Sequence, residues 1–144
     1  MPKTLIIITG PTGIGKTSTG IALARHLNTE IISADSRQIF KELTIGTAVP
    51  STKERKAVKH HFIHSHSIHE NYNASKFETE VLALLDKLFQ EFNEVVMVGG
   101  SMLYIDAICK GIDSMPDADP EIRLSLQNQL NTEGIESLRL QLKK

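Results

Sequence analysis

The chain's 144 residues, 40% of them hydrophobic, suffice for one compact α/β domain, which at this length buries roughly 70% of its unfolded surface. Sixteen Lys+Arg against seventeen Asp+Glu leave a net charge of −1, so the chain is no polycation and any nucleic-acid surface on it must be local. The single cysteine, Cys109, excludes an internal disulfide and suits a reducing cytosol.

The first apolar run, Thr4-Leu5-Ile6-Ile7-Ile8-Thr9, is too short for a signal peptide or a membrane span. Its β-branched composition predicts a strand buried on both faces of a parallel sheet. A soluble, cytoplasmic protein is expected. A helix should follow from about Gly15 to Leu27, with Ile21, Leu23, Ala24 and Leu27 turned inward. Glu30–Ala34 reads as a second strand, ending at Asp35. Residues 36–59 show no clean period and read as a long functional connection, and His61–His64 as a short strand. Phe77, Val81, Leu84, Leu85, Leu88 and Phe92 then form one helical stripe, with Ser75 and Glu78 as a capping box at its start. Val95–Val98 is the next strand, running through Gly99-Gly100-Ser101 into a helix that stops near Gly111. Asp119-Pro120 reads as N-cap and first-turn proline of a helix to about Thr132, with Ile122, Leu126 and Leu130 on one face. Gly134 ends it, and an amphipathic piece runs to Lys144.

Gly10-Pro11-Thr12-Gly13-Ile14-Gly15-Lys16-Thr17 matches the P-loop pattern G-x-x-x-x-G-K-[ST] in full, between a predicted strand and a predicted helix. Its glycines let the backbone turn so that successive N–H groups point into one concavity. The helix N-terminus adds partial positive charge. Lys16 brings a full charge, and the Thr17 hydroxyl can ligate Mg²⁺. Strands alternating with helices around this loop predict a P-loop NTPase-like three-layer α/β/α fold with a mostly parallel sheet. The strands are few, so residues 1–144 are expected to be an incomplete core of this type.

A P-loop does not name a reaction. A kinase or NTPase usually places a Mg²⁺-directed Asp at the end of a second apolar strand. Here the Val95–Val98 strand runs into glycines, and the carboxylate follows the second strand, at Asp35. On spacing alone Asp35 is either a group at the carboxyl end of the sheet where ligands bind or a turn carboxylate.

Taken together, the P-loop at 10–17, Ser33-Ala34-Asp35-Ser36-Arg37-Gln38-Ile39-Phe40, Ile45-Gly46-Thr47-Ala48, His60-His61 and Val98-Gly99-Gly100-Ser101-x-Leu103-Tyr104 resemble the tRNA dimethylallyltransferases. The motifs lie in order over nearly the whole chain. Adenylate prenyltransferases are similar in the same motifs. This chain departs from the tRNA family's pattern at Gly13-Ile14 and at Ser101-Met102. Family members are also much longer, so the resemblance implies an N-terminal portion, weak or inactive alone, of an enzyme that is a monomer when full length.

What the resemblance implies is transfer of a dimethylallyl group from dimethylallyl diphosphate to N6 of the adenine 3′ of the anticodon, in tRNAs reading codons that begin with U. Gly10 to Thr17 would hold the diphosphate with Mg²⁺ on Thr17. Lys16 and Thr17 would stabilise the leaving group, and Asp35 would take the proton from the attacking amine. Asp35, Ser36, Arg37, Gln38, Ser101 and Arg123 would contact the tRNA. Bland alternatives stand beside these roles: a surface charge for Arg37, a helix cap for Ser101, a solvated helix face for Arg123. Arg37, Lys41, Lys53, Arg55, Lys56 and Lys59 outnumber Glu42 and Glu54 in this stretch, which suits either an RNA backbone or an ordinary solvated loop. His60, His61, His64, His66 and His69 lack the Cys partners of a zinc site.

Overall fold

The computed structural model describes residues 2–113 and 119–143, so the expected end of the last helix at Lys144 lies outside the described residues. The chain divides into two compact units, Met1–Ile112 and Asp113–Lys144.

The first unit contains β1 (Thr4–Thr9), α1 (Lys16–His26), β2 (Ile31–Ala34), α2 (Thr52–Ala57), β3 (His60–His61), α3 (Ala74–Glu91), β4 (Glu94–Gly99) and α4 (Met102–Lys110). The sheet order is β1-β4-β2-β3, and every pairing is parallel. Alternation along the strands divides the core into two layers. Ile32, Ala34, Val95 and Met97 pack against Phe77, Val81, Leu85 and Leu88 of α3 and Ile105 of α4, with Phe77 stacked on Tyr104 at 4.5 Å. Ile31 and Val96 face the other way, against Ala24 of α1 and Val58. Helices on both faces of a parallel sheet give the expected α/β architecture.

Two glycines set how closely the layers meet. A Cβ on Gly20 would lie 2.5 Å from Val98, and one on Gly99 would lie 2.1 Å from the Ala34 carbonyl oxygen. The second matters for the site, because it lets the carboxyl ends of β2 and β4 close together.

Four local expectations are corrected. Thr4–Thr9 forms a strand, but at the sheet's edge, and its apolar residues are only partly buried. An edge strand has a neighbour on one side only, whereas β2 is wholly buried. The cap of the third helix is Asn73, not Ser75, and the helix begins at the next residue, Ala74: Asn73 Oδ1 accepts the Lys76 N–H at 2.9 Å, and the Ser75 carbonyl accepts from Thr79 Oγ1. Asn is among the strongest N-caps, so Asn73→Ala should lower stability by about 1 kcal/mol. Urea unfolding is the check, and an unchanged midpoint would show that the first turn frays. The 36–59 segment contains a real helix, α2, opened by a complete capping box in which the Ser51 N–H donates to Glu54 Oε2 at 2.7 Å. The strand expected at His61–His64 is instead His60–His61. Phe62 and His64 take left-handed conformations, φ 60° and 51°, which ends the pairing.

In the second unit, α5 (Pro120–Glu133) starts where predicted: Asp119 Oδ1 accepts the Glu121 N–H at 2.8 Å and Pro120 occupies the first turn. Gly134, at φ 78°, separates it from α6 (Ile135–Leu142). No residue of either helix is buried, and Ile122 and Leu126 of the expected stripe are exposed.

Candidate active site

The loop between β1 and α1 turns on Gly10, Gly13 and Gly15, all at positive φ. Gly15 occupies the N-cap of α1 in the left-handed region and offers no side-chain cap. The first N–H groups of α1 therefore keep open positions for an anion. Charge along the helix agrees with this, with no acid in its first turn and Arg25 and His26 in its last. The Lys16 ammonium folds over the loop and donates to the Pro11 carbonyl at 2.6 Å.

Asp35 follows β2 at the same end of the sheet. Its Oδ1 accepts the N–H groups of Arg37 (2.9 Å) and Gln38 (3.2 Å), an Asx turn that fixes the carboxyl group. Oδ2 has no hydrogen bond among the described residues. Asp35 is thus a turn carboxylate with one oxygen left for other work. Ser101 proves to be a tie between two loops. It sits at the N-cap of α4 without capping it, accepts the Ser36 N–H at 2.8 Å and donates to Ser36 Oγ at 3.1 Å. Its own N–H reaches the Ala34 carbonyl.

Gln38 is fully engaged within the protein. Ser33 Oγ donates to its Oε1 at 3.2 Å, and its Nε2 donates to the carbonyls of Thr47 and Ala48 at 2.9 and 3.0 Å. Thr47, itself buried, donates to the Leu43 carbonyl at 2.7 Å. Ser33 and Thr47, quoted in the sequence only as members of motifs, thus line the site and hold Gln38 in place.

These elements surround an open cleft whose lining includes Thr12, Gly13, Lys16, Thr17, Asp35, Arg37 and Gln38. A smaller cavity adjoins it, bounded by Thr17, Ser33, Asp35, Gln38 and His60. Burial pushes the His60 pKa below its usual value, partly offset by its contact with the Val58 carbonyl. That acceptor-only carbonyl, 2.8 Å away, places the ring proton on Nδ1. The sequence-predicted residues 10–17, 35–38 and 101 are therefore gathered at one end of one sheet. Arg123 lies in the second unit, exposed on α5.

The neighbouring histidines disperse to separate partners. His61 Nε2 lies 2.6 Å from Glu30 Oε2, and His66 Nε2 lies 3.3 Å from Glu80. Burial opposes ionisation of Glu30, but hydrogen bonds from His61 and Lys59 outweigh it and hold its pKa below the usual value. Both acids of the basic stretch are occupied. Glu42 accepts from Ser67 Oγ and the Ile68 N–H, and Glu54 closes its capping box. Arg37, Lys41, Lys53, Arg55 and Lys56 form no ion pair among the described residues.

A family model described as IPP transferase matches residues 38–144. The chain is 52% identical over 141 residues to a tRNA dimethylallyltransferase of Flavobacterium johnsoniae, covering 98% of this chain and 46% of that protein. It is 47% identical over 141 residues to tRNA dimethylallyltransferase 1 of Bacteroides fragilis, covering 98% and 47%. Among solved structures it is similar to the full-length tRNA isopentenylpyrophosphate transferase of Bacillus halodurans, with a TM-score of 0.73, 31% identity, and coverage of 99% of this chain and 47% of that one. It is also similar to a eukaryotic dimethylallyltransferase captured acting on tRNA, with a TM-score of 0.72, 30% identity, and coverage of 83% and 31%. The chain spans about half the length of the curated relatives it matches.

Proposed function

Because the chain belongs to the IPP transferase family, we propose that the whole protein moves a dimethylallyl group from dimethylallyl diphosphate to N6 of the adenine 3′ of a tRNA anticodon. One observation carries the reading: the P-loop and the free oxygen of Asp35 share one cleft. In the reaction the allylic C1–O bond breaks, N6 bonds to C1, and N6 releases a proton. The amides of residues 13–17, the Lys16 ammonium and the Thr17 hydroxyl meet the charge that grows on the departing diphosphate. Asp35 Oδ2 receives the proton, while Oδ1 stays fixed in its turn.

Among the described residues no group of three or more His, Cys, Asp or Glu gathers into a metal cage. The Thr17 hydroxyl at the loop suits Mg²⁺, which takes one or two protein oxygens and completes its shell with water and substrate phosphates. When bound there, such an ion neutralises charge on the leaving group. A cytoplasmic monomer fits this work, and among the described residues no helix is long and apolar enough to cross a membrane.

The test supplies the whole protein with dimethylallyl diphosphate and Mg²⁺, and offers tRNA, AMP or ATP alone. Prenylation of tRNA is expected. Transfer to AMP would identify a free-nucleotide prenyltransferase, and ATP hydrolysis without transfer would return the protein to the kinases and NTPases.

A further inference from the structure

Next to the cleft-lining residues Gly46, Thr47 and Ala48 stands a tip with unusual chemistry. Ile45 is 96% exposed, yet the turn carrying it is tightly held. Gly46 and Ala48 take positive φ, 76° and 51°, and a left-handed alanine is strained. The Thr47 hydroxyl, 6% exposed as a residue, closes the turn on the carbonyls of Leu43 and Thr44. The Gln38 amide grips the Thr47 and Ala48 carbonyls from behind. Gly46, Thr47 and Ala48 face the cleft. The protein therefore holds a strained turn rigid in order to present a bare isoleucine at the rim of the site, and strain kept in such a place points to function.

Cations with no ion pair among the described residues are found in the adjoining sequence, at Arg37 and Lys41 before the turn and at Lys53, Arg55 and Lys56 after it. Both acids of the stretch are already engaged. An apolar tip in a stretch of chain rich in unpaired positive charges matches a polyanion with exposed apolar faces, which is what the unstacked loop of an RNA hairpin offers.

We propose that Ile45 is an RNA-contacting finger: its side chain packs on the face of a loop base next to the acceptor adenine, filling the place that adenine leaves when it turns into the cleft. Apolar side chains inserted between bases do the same work in other nucleic-acid complexes. This inference rests on the tRNA reading of the cleft and adds a specific contact to it.

The test compares wild type with Ile45→Ser in the whole protein, against an anticodon stem-loop RNA carrying 2-aminopurine at the acceptor position. A side chain this exposed packs nothing, so folding survives the change. RNA affinity should fall about tenfold or more, and the rise in 2-aminopurine fluorescence on binding should shrink. The salt dependence of binding should keep its slope, since no phosphate contact is lost. Pyrophosphate affinity, read by calorimetry, should not move. Unchanged RNA affinity overturns the proposal. A raised KM for dimethylallyl diphosphate with normal RNA affinity overturns it too, and assigns Ile45 to the prenyl chain. Wild-type protein that prenylates AMP and ignores the stem-loop overturns the tRNA reading itself, and the finger with it.

Discussion

Asp35→Asn should abolish prenyl transfer in the whole protein while leaving diphosphate binding intact. The two carboxylate oxygens have different duties, and the substitution separates them. Oδ1 accepts two backbone N–H groups at 2.9 and 3.2 Å. The Asn side-chain oxygen can take over both, so the turn that carries Ser36 to Gln38 should hold. The remaining group changes from an acceptor to an NH₂ donor facing the cleft. It can no longer receive a proton, and it meets the donor face of the adenine amine. Loss of a general base typically lowers kcat by about 10²–10⁴-fold. The measurement is kcat with tRNA as acceptor, beside pyrophosphate affinity and the unfolding midpoint of the same variant. If Asp35 were a metal ligand, pyrophosphate affinity in Mg²⁺ would fall along with kcat. If it were only a turn carboxylate, the midpoint would fall and kcat would stay. A variant with normal kcat removes Asp35 from the chemistry.

How much of this was legible in the sequence depends on whether a feature is local. The P-loop is a local pattern with local physics: glycines for the turn, a helix N-terminus for the anion. It appears where the sequence puts it. The α3 stripe is equally direct, since its spacing matches one turn of helix after another, and Phe77, Val81, Leu85 and Leu88 are all buried. Its starting point was misread because two N-terminus signals competed, and Asn73 prevailed over Ser75. The capping box that does form, Ser51 with Glu54, was present in the sequence but precedes a helix of only six residues, too short to show a period. Burial of β1 was overestimated for a different reason. An apolar run records which residues avoid water, not how many neighbouring strands are there to shield them. The roles of Gln38, Ser101 and Thr47 were beyond any reading of the sequence. Each depends on partners brought close by the fold, up to 65 positions away in the case of Ser101 and Ser36, and hydrogen bonds of that kind leave no spacing signature.

Lys16→Ala should reduce affinity for pyrophosphate without disturbing the fold. Among the described residues the ammonium makes one hydrogen bond, to the Pro11 carbonyl at 2.6 Å, and that bond is exposed. Its removal opens no cavity, and the loop conformation is set by Gly10, Gly13 and Gly15. The unfolding midpoint should therefore stay within experimental error. Phosphate oxygens lose a full positive charge at the centre of the loop. A hydrogen bond to a charged group contributes about 1.5–3 kcal/mol, so affinity should drop roughly ten- to a hundredfold. The loop amides remain, which is why some binding should survive. Lys16→Arg separates charge from shape. Arg keeps the charge, but its planar fork is larger than an ammonium and cannot enter a loop closed around a compact point charge. Only partial recovery is expected. The assay is calorimetric titration of pyrophosphate in Mg²⁺ at two salt concentrations. The wild-type affinity should carry the stronger salt dependence, because it has one more charge to screen. Equal affinity of wild type and Lys16→Ala at both concentrations would mean that the anion is not held at this loop, and the prenyl-diphosphate reading of the cleft would fall with it.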